Sequence, residues 1–441
     1  MGWFTLRALR RRSAFGILLV ILLLLSYYGL LSKTSHILRS ISQPTRYLDP
    51  GASEATAEST PTSEQRPTNS SSDSPTARPI VENATMYLHA IMDPDNRELE
   101  GLACPRLNSK RYNYLKPKSP KEPSYFFALD LREIITLLPR LMGSIVEVVR
   151  FLGPRHCVLS VVEGNSQDGT SEVLSLLRKE IEALGAQYHF LRSDINPSTS
   201  GDRIGDLAAL RNLALEPLTS NEVGFNHETT VIFLNDVAIC PEDILELVHQ
   251  RQRIGADMTC GFDWTYVGEH PTFYDVWVAR TITGDSFFEI PPDGNWDSAW
   301  NLFWNSPEDR VRFQSHSPFQ VFSCWNGAAV FTARPLWDKG IRFRAPSPEE
   351  CFQGEPQLFC KDLWHAGFGK IAVIPSVNLE YDNEHAIKIK ALKGYASQWV
   401  EQEPNDIPVI EWKISPPAKI KCMASYDNQE WRPWDEGLFE S

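Results

Sequence analysis

A chain of 441 residues with 42% hydrophobic side chains can build one large core or two modest ones, which excludes a wholly disordered protein. The formal net charge of −13 argues against non-specific nucleic-acid binding, because a phosphate-seeking surface would be basic.

In chain order the first element is residues 14–31, an apolar run without a charge. A helix needs roughly 17–25 such residues to cross a bilayer, so the run predicts a transmembrane signal-anchor helix and the membrane as a partner. Arg7, Arg10, Arg11 and Arg12 precede it, and only Lys33 and Arg39 follow closely. This bias keeps residues 1–13 in the cytosol and puts the rest in the lumen or outside. A cleaved signal peptide is the rival reading, but the run exceeds a typical h-region and LLSKTSHILRS has no small-x-small cleavage site.

Residues 32–84 read as a stem, because the stretch from Leu48 to Ile80 is rich in Ser, Thr, Pro and Glu and has no aromatic residue to bury. Asn69 in NSS and Asn83 in NAT are glycosylation acceptors if this part is luminal. Residues 85–441 are then the folded luminal domain.

Of the cysteines, Cys104, Cys157, Cys240, Cys260, Cys324, Cys351, Cys360 and Cys422, none forms the C-x-x-C pair of a zinc site. A luminal setting favours one or more disulfides. Cys157, Cys240 and Cys260 lie in or beside apolar runs and read equally as buried thiols.

The folded part alternates helix and strand. Residues 131–153 have helical apolar spacing and 156–162 are a short β-rich run. A helix follows over 170–185, a strand over 186–193, a helix over 203–218 and a strand over 229–236. Alternating β and α with strands apolar on both faces predicts an α/β fold, a doubly wound, mainly parallel sheet covered on both sides. Ligands of such sheets sit beyond the carboxyl ends of the strands.

At the end of the 156–162 strand, VVEGNSQDGT crowds Glu163, Asn165, Ser166, Asp168 and Thr170 around two glycines before a helix N-terminus. Such a turn suits a polar or anionic ligand. It also suits a plain helix start in which Asp168 or Thr170 caps the helix. The glycine spacing is neither that of a dinucleotide fingerprint nor that of a P-loop.

Several stretches taken together carry a family resemblance. SVVEGNSQDGT, AALRNLAL (208–215), VIFLNDV (231–237) and GEPQLFCKDLWHAGFGKIAVIPSV (354–377) resemble, in order, motifs of nucleotide-sugar glycosyltransferases of the GT-A fold. With FYDVWVART, PFQVFSCWNGAAVF and CFQGEPQLFCKDLW, the wording resembles the fungal capsule-associated α-1,3-mannosyltransferase family over roughly residues 110–390. The resemblance implies a GDP-mannose donor, a divalent metal (Mn or Mg), and transfer to a mannose-containing glycan with retention. The anchor and stem agree with it in general type, and the luminal orientation read from the arginine bias makes the expected location the Golgi or another secretory-pathway membrane, as a type II protein.

That resemblance assigns roles residue by residue. Asp236 ends a strand where the family places a metal-binding Asp-x-Asp, although Asn235 and Val237 flank a single acid here. Oxygen donors suit Mg or Mn. His385 or Asp382, after the last strand, is the expected second metal ligand, or else a solvated loop residue. Glu163, Asn165 and Asp168 are expected around the nucleoside, and Arg211 at a phosphate or a pocket carboxylate. Asn326 in the small-residue loop SCWNGAAVF is expected close to the donor sugar, or else in a buried turn. Glu355 is the expected catalytic carboxylate facing the acceptor, or else an acid favoured by a helix N-terminus. Asp362 is its helper, orienting the helix.

Between these motifs lie Trp264, Trp277, Trp296, Trp300 and Trp304. Aromatic faces beside acids suit sugars, so Asp263, Trp264 and Asp275 are the expected acceptor contacts, while most of the tryptophans are expected in the core. Two other classes compete with a transferase. One is a membrane-anchored glycan- or nucleotide-sugar-binding protein without turnover. The other is a glycoside hydrolase pairing Glu355 with Asp362 or Asp263.

Overall fold

The computed structural model describes residues 77–118, 123–220, 224–401 and 410–438. The expected cytosolic tail, the anchor helix, most of the stem and Asn69 lie outside the described residues. Among the described residues no helix is long and apolar enough to cross a membrane. Helix α1 (Ala77–Met92) starts inside the stretch read as stem and buries Ala84 and Ile91 in the core, with Asn83 exposed on it. The final stem residues are therefore helical.

Strand β1 (Tyr125–Leu131) precedes helix α2 (Leu138–Leu152), so the helix read over 131–153 starts later than its apolar spacing suggested. The YFFALDL run is apolar at every position but one because both its faces are covered. Phe126 and Ala128 join one core cluster, and Phe127 and Leu129 the other. The rest of the α/β series matches the sequence closely: β2 (Cys157–Glu163), α3 (Thr170–Leu184), β3 (Gln187–Arg192), α4 (Arg203–Thr219) and β4 (Thr230–Leu234). Gly185 ends α3 in the left-handed conformation that a helix C-terminus favours, and Asp202 caps α4 by accepting the Gly205 N–H.

The chain continues through α5 (Pro241–Ile254), β5 (Met258–Val267), β6 (His270–Phe273), β7 (Arg280–Thr281), α6 (Pro307–Gln314), β8 (Phe319–Ser323) and β9 (Ala328–Thr332). It closes with α7 (Glu355–His365), β10 (Ile371–Glu380), α8 (Asn383–Lys393) and a hairpin of β11 (Lys419–Met423) and β12 (Gln429–Pro433). Among the described residues the central sheet has ten strands in the order β3-β2-β1-β4-β9-β5-β10-β8-β7, with β6 beside β5.

Strands β1 to β4 pair in parallel, as do β5 and β10. Antiparallel β9 joins the two blocks, and β8 runs antiparallel to β10, so the sheet is mixed and mainly parallel. Edge strand β3 is half exposed, which departs from the doubly apolar pattern expected of it. Helices α2, α3 and α5 cover one face, and α4, α7 and an aromatic layer cover the other.

Three disulfides tie the domain: Cys104–Cys240, Cys260–Cys324 and Cys351–Cys422. Cys240 and Cys260 are thus bridged, and Cys157 stays a buried thiol with Cys360. Each native bridge of this kind contributes about 2–4 kcal/mol, chiefly by restricting the unfolded chain.

Candidate active site

The carboxyl ends of β1 and β4 meet at Arg211, which the third turn of α4 holds 6% exposed. Its Nε donates to Glu355 Oε1 at 2.7 Å, and Nη1 donates to Asn235 Oδ1 at 3.4 Å. The guanidinium lies 4.8 Å from the Trp325 ring centre and 5.3 Å from that of Phe233. Trp325 Nε1 donates to the same Asn235 oxygen at 2.9 Å. Asn235, which flanks the single acid of this motif, therefore joins Arg211 to Trp325 as an acceptor.

Acids surround this cation. Asp130, Asp236 and Asp275 are part-buried, and each is pushed up to about 6 by burial against the pull of Arg211. Burial opposes the Arg211 charge, but Asp130 and Glu355 outweigh it and raise its pKa. Asp130 has no counterpart among the residues expected from the sequence, because its strand, which ends where the 131–153 helix was expected to begin, was not assigned. The parallel β1–β4 register, which pairs Leu129 with Leu234, brings it beside Asn235.

Asp236 leaves the tip of β4 as expected. Its position is fixed by Gly327, whose carbonyl accepts the Asn235 N–H at 2.9 Å. With φ at +80°, Gly327 suits this turn, where a Cβ would come 2.9 Å from Val237.

The crowded turn after β2 mostly fastens a neighbouring loop. Asp168 accepts the Ile135 N–H at 2.8 Å and the Thr170 N–H at 2.9 Å, and the Ser166 hydroxyl accepts the Glu133 N–H. Both carboxylate oxygens of Asp168 so accept backbone N–H groups, which is the helix-start role also read for it. Glu163 keeps a free group: Oε1 accepts the Ser166 N–H at 2.7 Å, while buried Oε2 makes no hydrogen bond and lies 3.7 Å from Arg192 Nε. Exposed Asn165 accepts from Arg192. A ligand donating to Glu163 Oε2 would satisfy this orphaned acceptor.

Other assignments change. Asn326 is fully buried; its N–H donates to Asp275 Oδ2 and its amide to the Gly261 carbonyl, so it positions Asp275 within a buried turn. Asp263 is fully buried, accepts from Tyr381 Oη at 2.7 Å, and is raised well above the carboxylate range by burial and by Asp275. Trp264 is 2% exposed and donates to Asn378. Neither is a surface for an acceptor; only Asp275 of that trio stands beside Arg211.

Asp362 lies seven residues along α7 from Glu355, about 10 Å by helix rise. There it makes two hydrogen bonds to Arg344, which also binds Glu350. Glu355 and Asp362 are thus held in separate networks, one on Arg211 and the other on Arg344. Trp277, Trp300 and Trp304 are substantially exposed, against the expectation that most of the tryptophans are core.

Glu380, Asp382 and His385 form a second group, with one donor atom from each lying within 4.8 Å of the others. His385 Nδ1 is 3.6 Å from Asp382 Oδ1 and 4.0 Å from Glu380 Oε1, and its ring stacks on Tyr266. Burial pushes Glu380 up to about 7. The Ala238 N–H donates to the Glu380 carbonyl at 2.8 Å, which joins the Asp236 loop to this group. Two carboxylates and an imidazole suit Mn or Mg. The last residue of an apolar strand, Glu380 gave no signal in the sequence.

Residues 124–362 match the family described as Cryptococcal mannosyltransferase 1. Over 362 residues the chain is 35% identical to alpha-1,3-mannosyltransferase CMT1 of Cryptococcus neoformans var. neoformans serotype D, covering 78% of this chain and 73% of that one. Among solved structures, mannosyltransferase PcManGT from Pyrobaculum calidifontis in complex with GDP-Man and Mn2+ is 12% identical, covers 75% of this chain and 77% of that one, and gives a TM-score of 0.35. S. aureus TarS 1-349 in complex with UDP is 14% identical, covers 58% of this chain and 60% of that one, and gives 0.34. The protein is a glycosyltransferase. It belongs to the cryptococcal mannosyltransferase family, and its activity is that of a mannosyltransferase.

Proposed function

We propose that this enzyme moves mannose from GDP-mannose to a mannose-containing glycan, forming an α-1,3 linkage with retention on a GT-A-like scaffold. The observation that carries the reading is the Arg211–Glu355 pair, at 2.7 Å, set among Asp130, Asp236 and Asp275 at the carboxyl end of the sheet. The relative named for α-1,3 mannosyl transfer supports the linkage.

Four carboxylates face one guanidinium here, so the group is net negative and repels a diphosphate unless a cation stands between them. Asp236 and the Glu380–Asp382–His385 group offer the donor atoms to hold one. When bound, the metal neutralises charge developing on the leaving diphosphate. Glu163 is the acceptor for a donor group of the nucleoside, through its orphaned Oε2. Arg211 supplies fixed positive charge, and its aromatic stack keeps the side chain in place without recruiting water. Glu355, held by Arg211, presents negative charge toward the reacting sugar or orients the incoming hydroxyl.

Residues 14–31 anchor the protein as a type II protein of a Golgi or other secretory-pathway membrane, with Asn69 and Asn83 as glycosylation acceptors. The disulfides support an oxidising compartment. Labelled sugar nucleotides offered to the full-length protein with Mn2+ and an α-mannoside test the donor assignment. GDP-mannose is expected to be the donor consumed; transfer from another nucleotide sugar in its place overturns it. On sealed vesicles, protease without detergent is expected to spare the C-terminal domain, and its digestion reverses the orientation.

A further inference from the structure

The turn from Asp275 to Ala279 leaves the active site and comes back to it. At its start, Asp275 lies within electrostatic reach of Arg211 and Glu355. Beyond its middle, the Val278 side chain packs beside Gly354, where a Cβ would lie 3.6 Å from it, next to Glu355. Between them Trp277 is 37% exposed.

This ring is held from behind. It stacks on Tyr426, with centroids 4.9 Å apart and planes 27° from parallel. Tyr426 is backed in turn by Gly294, at φ +73°, where a Cβ would come within 2.6 Å of the tyrosine ring. Only glycine lets that turn approach so closely.

Tyr426 lies in the β11–β12 hairpin, which two kinds of link tie to the active site. The Cys351–Cys422 disulfide joins the hairpin to the segment leading into Glu355. The Lys421 carbonyl accepts from Gln353 of that segment at 3.2 Å and from Arg280, just past Trp277, at 2.8 Å. In the same segment Phe352 is 61% exposed. The hairpin that backs the indole is therefore tied on both sides, to Arg280 and to the Cys351–Gln353 segment, and the indole remains partly open to solvent one residue from Val278, which packs on Gly354 ahead of Glu355.

An aromatic face fixed in advance is what a pyranose ring needs, since the CH-bearing side of the sugar stacks on it and little ordering is left to be done on binding. We propose that Trp277, supported by Tyr426, is the platform on which the acceptor mannoside stacks. This rests on the mannosyl-transfer reading above and replaces the buried Asp263 and Trp264 as the acceptor contact.

The test uses the full-length protein in detergent with α-mannobiose as the probe. Binding is titrated by saturation-transfer NMR for wild type, Trp277→Ala and Trp277→Leu, and GDP-mannose transfer is assayed on the same samples. Leu keeps bulk against Tyr426 without a flat π face, so it guards against a merely disrupted turn. Both variants are expected to bind mannobiose about 10-fold more weakly, in line with the loss of one stacked ring, while GDP-mannose affinity stays within about twofold of wild type. Unchanged mannobiose affinity in both variants overturns the proposal, as does wild-type protein that binds no mannobiose. Wild type that binds mannobiose at Trp277 yet transfers no mannose from GDP-mannose overturns the donor reading and leaves the platform standing.

Discussion

Arg211 and Glu355, 144 residues apart in sequence, form a 2.7 Å ion pair in which the two side chains are 7% and 4% exposed. Such a pair is costly to desolvate and costlier to break, because removing one partner strands the other charge. Arg211→Met should therefore destabilise the protein by about 3–5 kcal/mol in urea unfolding, whereas the double variant Arg211→Met/Glu355→Gln should recover part of that loss. A double-variant loss equal to the sum of the losses in Arg211→Met and in Glu355→Gln alone would show that the pair does not couple.

Asp236 carries little packing at its strand tip, so Asp236→Asn should leave the thermal midpoint within a few degrees. Metal-dependent transfer should fall to background in this variant, and excess chelator should do the same to wild type. Full activity of wild type in chelator would remove the cation from the reaction.

The acid cluster sets a pH dependence. Asp130, Asp236 and Asp275 keep their protons to about pH 6 in the folded state, against an ordinary value of 3.8. Their raised values mean that the native state binds more protons than the unfolded chain between those limits, so their contribution to stability grows as pH falls from about 7 toward 4. Glu350, lowered to about 2 through its bonds to Arg344 and Lys361, works the other way: its contribution is present above 4.5 and is lost as pH falls through 2. Cation and donor affinity should weaken below about pH 6 as Asp236 is protonated. Calorimetric titration of Mn2+ and GDP-mannose at pH 5 and 7.5, beside thermal melts of the metal-free protein, checks both signs. Asp130→Asn should flatten the stability rise, and an unaltered profile would contradict the assignment.

Much of the frame could be read from residue order. Strands β2 and β4 and helices α3 and α4 fell within a residue or two of their sequence positions, because their apolar periods are strong local signals. Strand β1 was not assigned, since a seven-residue apolar run with a single acid carries neither the alternation of a half-buried strand nor a helical period, and Asp130 went with it. The pairing of Arg211 with Glu355 depends on α4 and α7 meeting on one sheet face, a contact that no local pattern encodes. The polar crowd at 163–170 suits both ligand chemistry and a plain helix start. Asp168 and Ser166 prove to be spent on the backbone of 133–135, and only the unmatched oxygen of Glu163 remains for a ligand.

The central claim is that Glu355 acts at the reacting sugar while the nucleotide is held elsewhere. It is tested most directly on one purified sample of Glu355→Gln, by titrating GDP and measuring mannose transfer from GDP-mannose. Gln keeps a hydrogen-bond acceptor for Arg211 and removes the charge. Transfer should fall by about 100-fold or more, as when one preorganised electrostatic group is removed from a catalytic site, with GDP affinity nearly unchanged. Transfer at the wild-type rate would contradict the claim, and joint loss of GDP binding and transfer would move Glu355 into the donor site.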